Sequence, residues 1–474
     1  MTALWTAAEA AIATGSAPVA GADWAARGVS IDTRAVAPAD LFVALKGPRF
    51  DGHDFVAAAL SSGAAAAMVD RPMPGADPAR LLAVPDTMAG LEALAVAARA
   101  RSAAKIVAVT GSVGKTGTKE ALAALLAAQG QTHASSGNLN NQIGMPLSLA
   151  RMPAGAQFGV FEIGMNHAGE IAPLSAMLRP HVAIITNVEA VHLEYFPDVE
   201  AIADAKAEIF TGLDADGVAV LNRDNPHFAR LAAAAKARGV GHVWGFGEAA
   251  EAEGRLVSVA LEESGSAVRA SILGRAVSFR LPLPGRHQVQ NALAVLLAVA
   301  AVGGDIEAGV AALERLEPVK GRGVAIDVTI SGGAFRIVDE TYNASPAATR
   351  AALAVLGMTL PQAGGRRLVA LGDMLELGTD APAAHTGLAE ALIAAGVDQV
   401  FTAGPLMRHL HDALPAAMRG AHAENSTALA PLVASAAHAG DIVLVKGSAG
   451  SQMSAVVAAL SARGKDGSET RRAV

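Results

Sequence analysis

The residues best placed to do chemistry form the run Val109-Thr110-Gly111-Ser112-Val113-Gly114-Lys115-Thr116-Gly117, set between an apolar segment and a helical one. Glycines at 111 and 114 let the backbone curl so that its N–H groups face a polyphosphate. Lys115 is then positioned to neutralise the β/γ region, and the Thr116 hydroxyl suits Mg²⁺. Val109 stands where the common phosphate-loop pattern has glycine, so the run is the shorter T-G-x-x-G-K-T form. The bland alternative is a glycine-rich turn from strand to helix.

Other candidates are scattered along the chain. Glu162 ends an apolar strand candidate, and His192 follows another that ends in Thr186-Asn187. A carboxylate and a neutral imidazole suit a divalent metal if the fold brings them together; singly, each is more often solvated or structural. Lys206 lies in Ala205-Lys206-Ala207-Glu208-Ile209-Phe210, a helical context in which an exposed lysine is the ordinary reading. Arg322 sits in Lys320-Gly321-Arg322-Gly323, and its fork of donors suits a phosphate. Asn138, Asn140 and Asn141 offer amides in one loop, and Thr33 with Arg34 offers polar and phosphate contacts in another. Asp, Asn and Gly also dominate ordinary turns.

Alternating strands and helices must hold these groups. Strand candidates at 40–45 and 64–69, and a helix over 55–60 with Asp54 as its cap, open the chain. A helix over about 91–101 leads to a second unit with strands at 106–109, 158–163, 182–186 and 217–221. Helical stretches between them imply βαβ units and a mainly parallel sheet. Residues 254–283 read as antiparallel strands, followed by a helix over 289–302. A second doubly wound pattern restarts after residue 323, with strands at 335–339, 367–371, 399–402 and 441–446. The polar tail from Arg463 is expected to fray. No internal repeat stands out. The fold class is therefore α/β in three domains, at 1–103, 104–317 and 318–474.

With 474 residues, 52% of them apolar and 17% charged, the chain has ample material for several cores. A net charge of −7 with no dense basic run argues against nucleic acid as a partner. No cysteine is present, which excludes disulfides, thiolate metal sites and Cys nucleophiles. The first basic residue is Arg27 and Glu9 interrupts the amino-terminal segment, unlike a signal peptide. The apolar run 292–302 is too short to span a bilayer. A cytoplasmic protein without stable membrane insertion, working as a monomer, is expected.

The short phosphate loop resembles that of the Mur ligase and folylpolyglutamate synthetase superfamily. Asp32-Thr33-Arg34, Asp40-Leu41-Phe42-Val43-Ala44-Leu45-Lys46-Gly47 and Asp51-Gly52-His53-Asp54-Phe55 resemble the amino-terminal signature of its D-alanyl-D-alanine-adding branch. Gly137-Asn138-Leu139-Asn140-Asn141-Gln142-Ile143-Gly144-Met145-Pro146-Leu147 is similar to the family's G-N-x-N-N-x-I-G-x-P-L segment. Gly285-Arg286-His287-Gln288-Val289-Gln290-Asn291-Ala292 resembles G-x-H-N-x-x-N-A, with Gln288 for the commoner Asn. Asp339-Glu340-Thr341-Tyr342-Asn343-Ala344-Ser345-Pro346, Gly372-Asp373-Met374-Leu375-Glu376-Leu377-Gly378 and Val445-Lys446-Gly447-Ser448 resemble its carboxyl-terminal domain, so the likeness covers nearly the whole chain in order.

That resemblance implies an amino-terminal UDP-substrate module, a central P-loop ATPase-like domain and a Rossmann-like closing domain. It implies an ATP-dependent ligase joining D-alanyl-D-alanine to a UDP-N-acetylmuramoyl-tripeptide in peptidoglycan synthesis. The loop 110–117 would take the nucleotide, with Lys115 and Thr116 at phosphate and Mg²⁺. Glu162 and His192 would hold a second Mg²⁺, and a carbamylated Lys206 would support metal as an anion. Asn291 would contact adenine, Arg322 the γ-phosphate, Asp339 the ribose or a partner lysine, and Tyr342 with Asn343 the adenosine side. Glu340 stands where many relatives have Asp, and Gly117 where many have Thr. Thr33, Arg34, Asn138, Asn140 and Asn141 would meet the UDP-linked substrate. The closing domain is expected to move, so that without nucleotide Arg322 and Asp339 can stand far from Lys115. Rival readings are the preceding ligase, which adds the third peptide residue, a folylpolyglutamate synthetase, and a P-loop regulator without ligase chemistry. Asp224-Asn225-Pro226-His227 lacks the arginine of the diaminopimelate-adding D-N-P-R motif.

Overall fold

The structure, a computed structural model, describes residues 3–464 and 470–472. The amino-terminal unit carries a parallel sheet in the order Gly28–Ser30, Asp40–Val43, Ala66–Val69, Leu81–Ala83. Its two central strands are buried throughout, as expected of apolar runs in a parallel sheet. The helix Thr87–Arg101 starts where the Asp86 carboxylate accepts the Ala89 N–H at 2.7 Å. It ends on Arg99 and Arg101, whose cations suit the negative end of the helix dipole.

Those arginines also join the unit to the next. Arg99 is buried and donates to the carbonyls of Leu178 and Arg179, while Arg101 lies 3.7 Å over the Trp5 ring. Trp5 in turn donates to the Ala150 carbonyl at 2.9 Å. One apolar core runs from Trp5 to Val240 across the first boundary expected from sequence.

The central unit is a sheet of nine strands. Lys105–Thr110 lies between Phe158–Glu162 and Val182–Ile185, all parallel, so three strand ends open at the same edge. Crevices at that edge are where open α/β sheets bind ligands. The strands Gly254–Glu262, Gly265–Ile272 and Arg275–Leu281 are antiparallel to one another, as their alternation predicts, and the first joins the sheet in parallel. The helix Arg286–Ala301 is buried over Ala292–Val299 on every side and packs against this sheet. A helix apolar all round belongs in a core. Leu293→Ala removes a fully buried side chain there and is expected to cost about 2–5 kcal/mol, read as a drop in the urea midpoint.

The carboxyl-terminal sheet has seven strands, in the order Arg419–Ala423, Gln399–Ala403, Arg367–Gly372, Ile442–Lys446, Gly333–Glu340, Val324–Ile330, Thr470–Arg472. Apolar cores cover both faces, the doubly wound pattern anticipated from sequence. Ser345 caps the helix Pro346–Met358, with Pro346 in the first turn where its missing N–H costs nothing.

Two local expectations change. The cap of the early helical stretch is Asp51, whose carboxylate accepts the His53 N–H; Asp54 lies inside that 3₁₀ turn. The tail does not simply fray after Arg463, because Thr470–Arg472 pairs antiparallel with Ala325, Ile326 and Asp327. Arg322 reaches the phosphate loop across the domain boundary, donating to the Thr116 hydroxyl at 2.9 Å.

Candidate active site

A cleft of about 1440 Å³ lies between the strand ends of the central and carboxyl-terminal sheets. The phosphate loop forms one wall. Gly111 has φ +147° and sits so close to Thr186 that a Cβ would fall 1.9 Å from its hydroxyl. Only glycine fits there. Thr186 donates to the Val113 carbonyl at 2.6 Å, and the N–H groups of Ser112 and Val113 donate to the backbone and side chain of Asn187. Those two amides are therefore committed to the loop's own support. The amides that open the helix Lys115–Ala127 have no intrahelical acceptor and are the ones available to an anion.

Thr110 and Gly111 do not line the cleft, whereas Ser112, Val113, Gly114, Lys115, Thr116 and Gly117 do. The first two shape the loop from behind. Lys115 is half-buried and rests its ammonium on the Gly111 carbonyl at 2.7 Å. Burial holds its pKa below the usual lysine range, against the pull of Glu162, and Arg322 lowers it further.

A chain of hydrogen bonds crosses the domain boundary. Arg322 donates to the Thr116 hydroxyl at 2.9 Å, and that hydroxyl donates to Glu162 at 2.8 Å. Glu162 is buried, and its other oxygen accepts from Asn140 at 2.8 Å. Asn140, expected among the substrate contacts, thus orients Glu162. The Arg322 guanidinium also lies 4.1 Å from the centroid of the Tyr342 ring.

The hydroxyl of Thr116 and the carboxylate of Glu162 make a corner of hard oxygens. That fits Mg²⁺, which takes one or two protein carboxylates and fills its remaining positions with waters and phosphates. Among the described residues no group of three or more His, Asp or Glu gathers as metal ligands; of the expected set Thr116, Glu162, His192 and Lys206, the hydrogen bonds join Thr116 to Glu162. His192 lines the same cleft, but its Nδ1 lies 2.6 Å from Glu376 of the carboxyl-terminal domain.

Lys206 is 2% exposed, near the end of the helix Val199–Ala207, and is not the solvated helical lysine that its context alone suggests. Burial, reinforced by Lys115, drives its pKa well below the ordinary value. Unfolding restores a lysine of ordinary pKa, near 10.4. Between the lowered folded value and that one, the unfolded chain binds the extra proton, so stability rises with pH across this window. In CO₂-free buffer the melting temperature of the native chain should climb more steeply than that of Lys206→Met, the difference closing toward the upper limit.

Asp339 does not reach the cleft. It turns back to accept the N–H and hydroxyl of Thr341, and the residue facing Lys446 is its neighbour Glu340, at 3.1 Å. Adjacent strand residues point to opposite faces, which is why a one-residue difference decides this. Lys446 also donates to the Asn343 carbonyl at 2.9 Å. Tyr342 and Asn343 line the cleft as expected, as does Asn291, whose amide packs against Gly114.

Asn138 and Asn141 border the same cleft, and Asn141 accepts two N–H groups that open the helix Gly144–Ala150. Thr33 and Arg34 are not brought to it. They occupy an exposed 3₁₀ turn where Asp32 grips the Arg34 guanidinium with both oxygens.

Sequence reasoning missed Glu376, Glu340, Lys446, Thr186 and Asn187 as site residues. Their motifs were visible; their partners were not.

A phosphate loop beside a hard-oxygen corner, faced by an arginine from a second doubly wound domain, defines a nucleotide-using α/β protein of two facing lobes. The sequence pattern of the Mur ligase middle domain matches residues 109–299, that of the Mur ligase glutamate ligase domain 327–449, and that of the Mur ligase family catalytic domain 26–129. The chain belongs to the Mur ligase family. It is 37% identical over 447 residues to the UDP-N-acetylmuramoyl-tripeptide–D-alanyl-D-alanine ligase of Escherichia coli (strain K12), covering 94% of this chain and 96% of that one. The enzyme of the same name from Bacillus subtilis (strain 168) is 33% identical, with 91% and 92% covered. A crystal structure of MurF from Acinetobacter baumannii superposes with a TM-score of 0.83 at 31% identity, covering 97% of this chain and 99% of that one. MurF ligase from Thermotoga maritima in complex with ADP gives 0.76 at 28% identity, with 92% and 97% covered.

Proposed function

We propose that this chain joins D-alanyl-D-alanine to UDP-N-acetylmuramoyl-tripeptide at the expense of ATP, giving the UDP-linked pentapeptide, ADP and phosphate. The observation that carries the reading is the Arg322–Thr116–Glu162 line, which ties the closing domain to the phosphate loop at the place where a γ-phosphate would react. Near-complete coverage of ligases bearing that name supports the choice of substrates.

In the first step an oxygen of the tripeptide carboxylate bonds to the γ-phosphorus, and the bond from phosphorus to the ADP oxygen breaks. The amine of D-alanyl-D-alanine then adds to the acyl phosphate carbonyl. The tetrahedral intermediate loses phosphate, and the amine nitrogen gives up its proton. Lys115 and Arg322 offset the negative charge gathered in both steps. A pair of Mg²⁺ ions, held by Thr116 with Glu162 and by His192, would supply further charge compensation at the phosphates. Closure keeps water from the acyl phosphate. Every group named belongs to one chain, which suits a monomer, and the nucleotide substrates suit the cytoplasm.

Asn291, Tyr342 and Asn343 border the nucleotide side in this reading. Asn138 and Asn141 meet the muramoyl peptide, and Thr33 with Arg34 serves the distal UDP end. Lys206 is suited to carbamylation: its low pKa leaves an unprotonated amine that bonds to CO₂, loses a proton and becomes an anion.

The test is phosphate release from ATP and Mg²⁺ with the UDP-muramoyl tripeptide, with and without D-alanyl-D-alanine. Release requiring both, with a UDP-pentapeptide seen by mass spectrometry, supports the reading. Turnover only with UDP-muramoyl dipeptide and a free diamino acid would move the chain to the preceding step, and hydrolysis independent of both peptides would make it a P-loop regulator.

A further inference from the structure

His192 and Glu376 come from different domains, yet they form one tightly built contact. Their side chains meet at 2.6 Å, and the Glu194 N–H donates to the Glu376 carbonyl at 3.3 Å. Both residues adopt positive φ, +59° and +64°, a conformation that non-glycine residues hold only when surroundings enforce it. The enforcing surroundings are visible on the Glu376 side. The Leu375 N–H donates to Ser448 at 3.0 Å, and the Met374 N–H to the buried His385 ring at 3.0 Å. Gly378, also at positive φ, lies close enough that a Cβ would come within 3.2 Å of the Leu193 carbonyl. The loop holding Glu376 is thus fixed from beneath and fitted to the loop holding His192.

An ionised carboxylate only accepts hydrogen bonds, so in the neutral imidazole this contact places the proton on Nδ1 and the lone pair on Nε2. Metal-binding histidines are commonly oriented by a carboxylate in this manner. We infer that Glu376 is a positioning residue through which the closing domain orients His192, so that its Nε2 is presented to a divalent cation only when the domains meet. This rests on the reading above that His192 serves a metal. The cation's environment would then be assembled from both domains, and closure would raise metal affinity as well as excluding water.

Mn²⁺ titration of the full-length protein with saturating ADP, followed by electron paramagnetic resonance, tests it with no turnover. Glu376→Ala should weaken Mn²⁺ binding by about 10–100-fold. Glu376→Gln, whose amide oxygen still accepts from Nδ1–H, should keep most of it, and His192→Ala should lose at least as much as Glu376→Ala. The ¹⁵N shifts of the His192 ring should report Nδ1–H in the native chain and in Glu376→Gln, and a mixture in Glu376→Ala. Native Mn²⁺ affinity in Glu376→Ala alongside loss in His192→Ala would overturn the inference and leave the metal reading standing. Native affinity in His192→Ala would overturn the metal reading itself.

Discussion

Lys115→Met should lower kcat by about 10³-fold, the scale seen when a preorganised charge donor is removed from a reacting centre. Steady-state phosphate release with both peptides measures it. The methionine keeps the length and the apolar stem while deleting only the ammonium, so the loop should hold its shape on Thr186 and Asn187. That support comes from backbone and side-chain groups that do not involve residue 115, and the melting temperature should change little. Lys115→Arg should rescue poorly. The space beside the Gly111 carbonyl takes a compact point charge, and a planar fork is a different shape.

Arg322→Ala is expected to cost at least about 10³-fold in kcat, the lower end for an arginine finger in phosphoryl transfer. It should also act on the free protein. Arg322 provides the direct hydrogen bond between the carboxyl-terminal domain and Thr116, so its loss should raise the radius of gyration in solution scattering when nucleotide is absent. A variant with native kcat would remove Arg322 from the chemistry. One with lowered kcat and an unchanged radius would leave it catalytic but not a clasp. Arg322→Lys should recover part of the closure and less of the rate, since a lysine cannot both stack on Tyr342 as a plane and donate toward Thr116.

What could be read in advance follows sequence distance. The loop from Thr110 to Thr116 is local: a strand, two glycines and a helix start within a few residues, so spacing alone announced it. Glu162 was legible as the last residue of a buried strand, and the architecture of two doubly wound sheets was legible from alternating periodicities. The Glu376 pairing was not, because its partner lies 184 residues away and no periodicity links them. The choice between Asp339 and Glu340 turned on strand parity at the final residues of a strand, where a motif is one residue too coarse. Asn140 looked like a free amide until the fold set Glu162 beside it. Asp54 and Asp51 lie less than a turn apart, within the roughly two to four residues by which an element boundary read from sequence can shift. The shared core around Trp5, Arg101 and Ala150 was hidden because it joins segments that composition assigns to separate domains.

The Thr116 hydroxyl has a single proton, given to Glu162, and one lone pair is already taken by Arg322. Arg322 thus fills, with its own cation, the corner that the proposed function gives to a metal–nucleotide pair. On that reading the expected result is that entry waits for Arg322 to leave, a time that belongs to the protein rather than to the ligand. In stopped-flow mixing with a fluorescent ATP analogue, the observed rate should level off at high concentration, at the opening rate. In Arg322→Ala, where the corner stands clear, it should keep rising in proportion to the analogue.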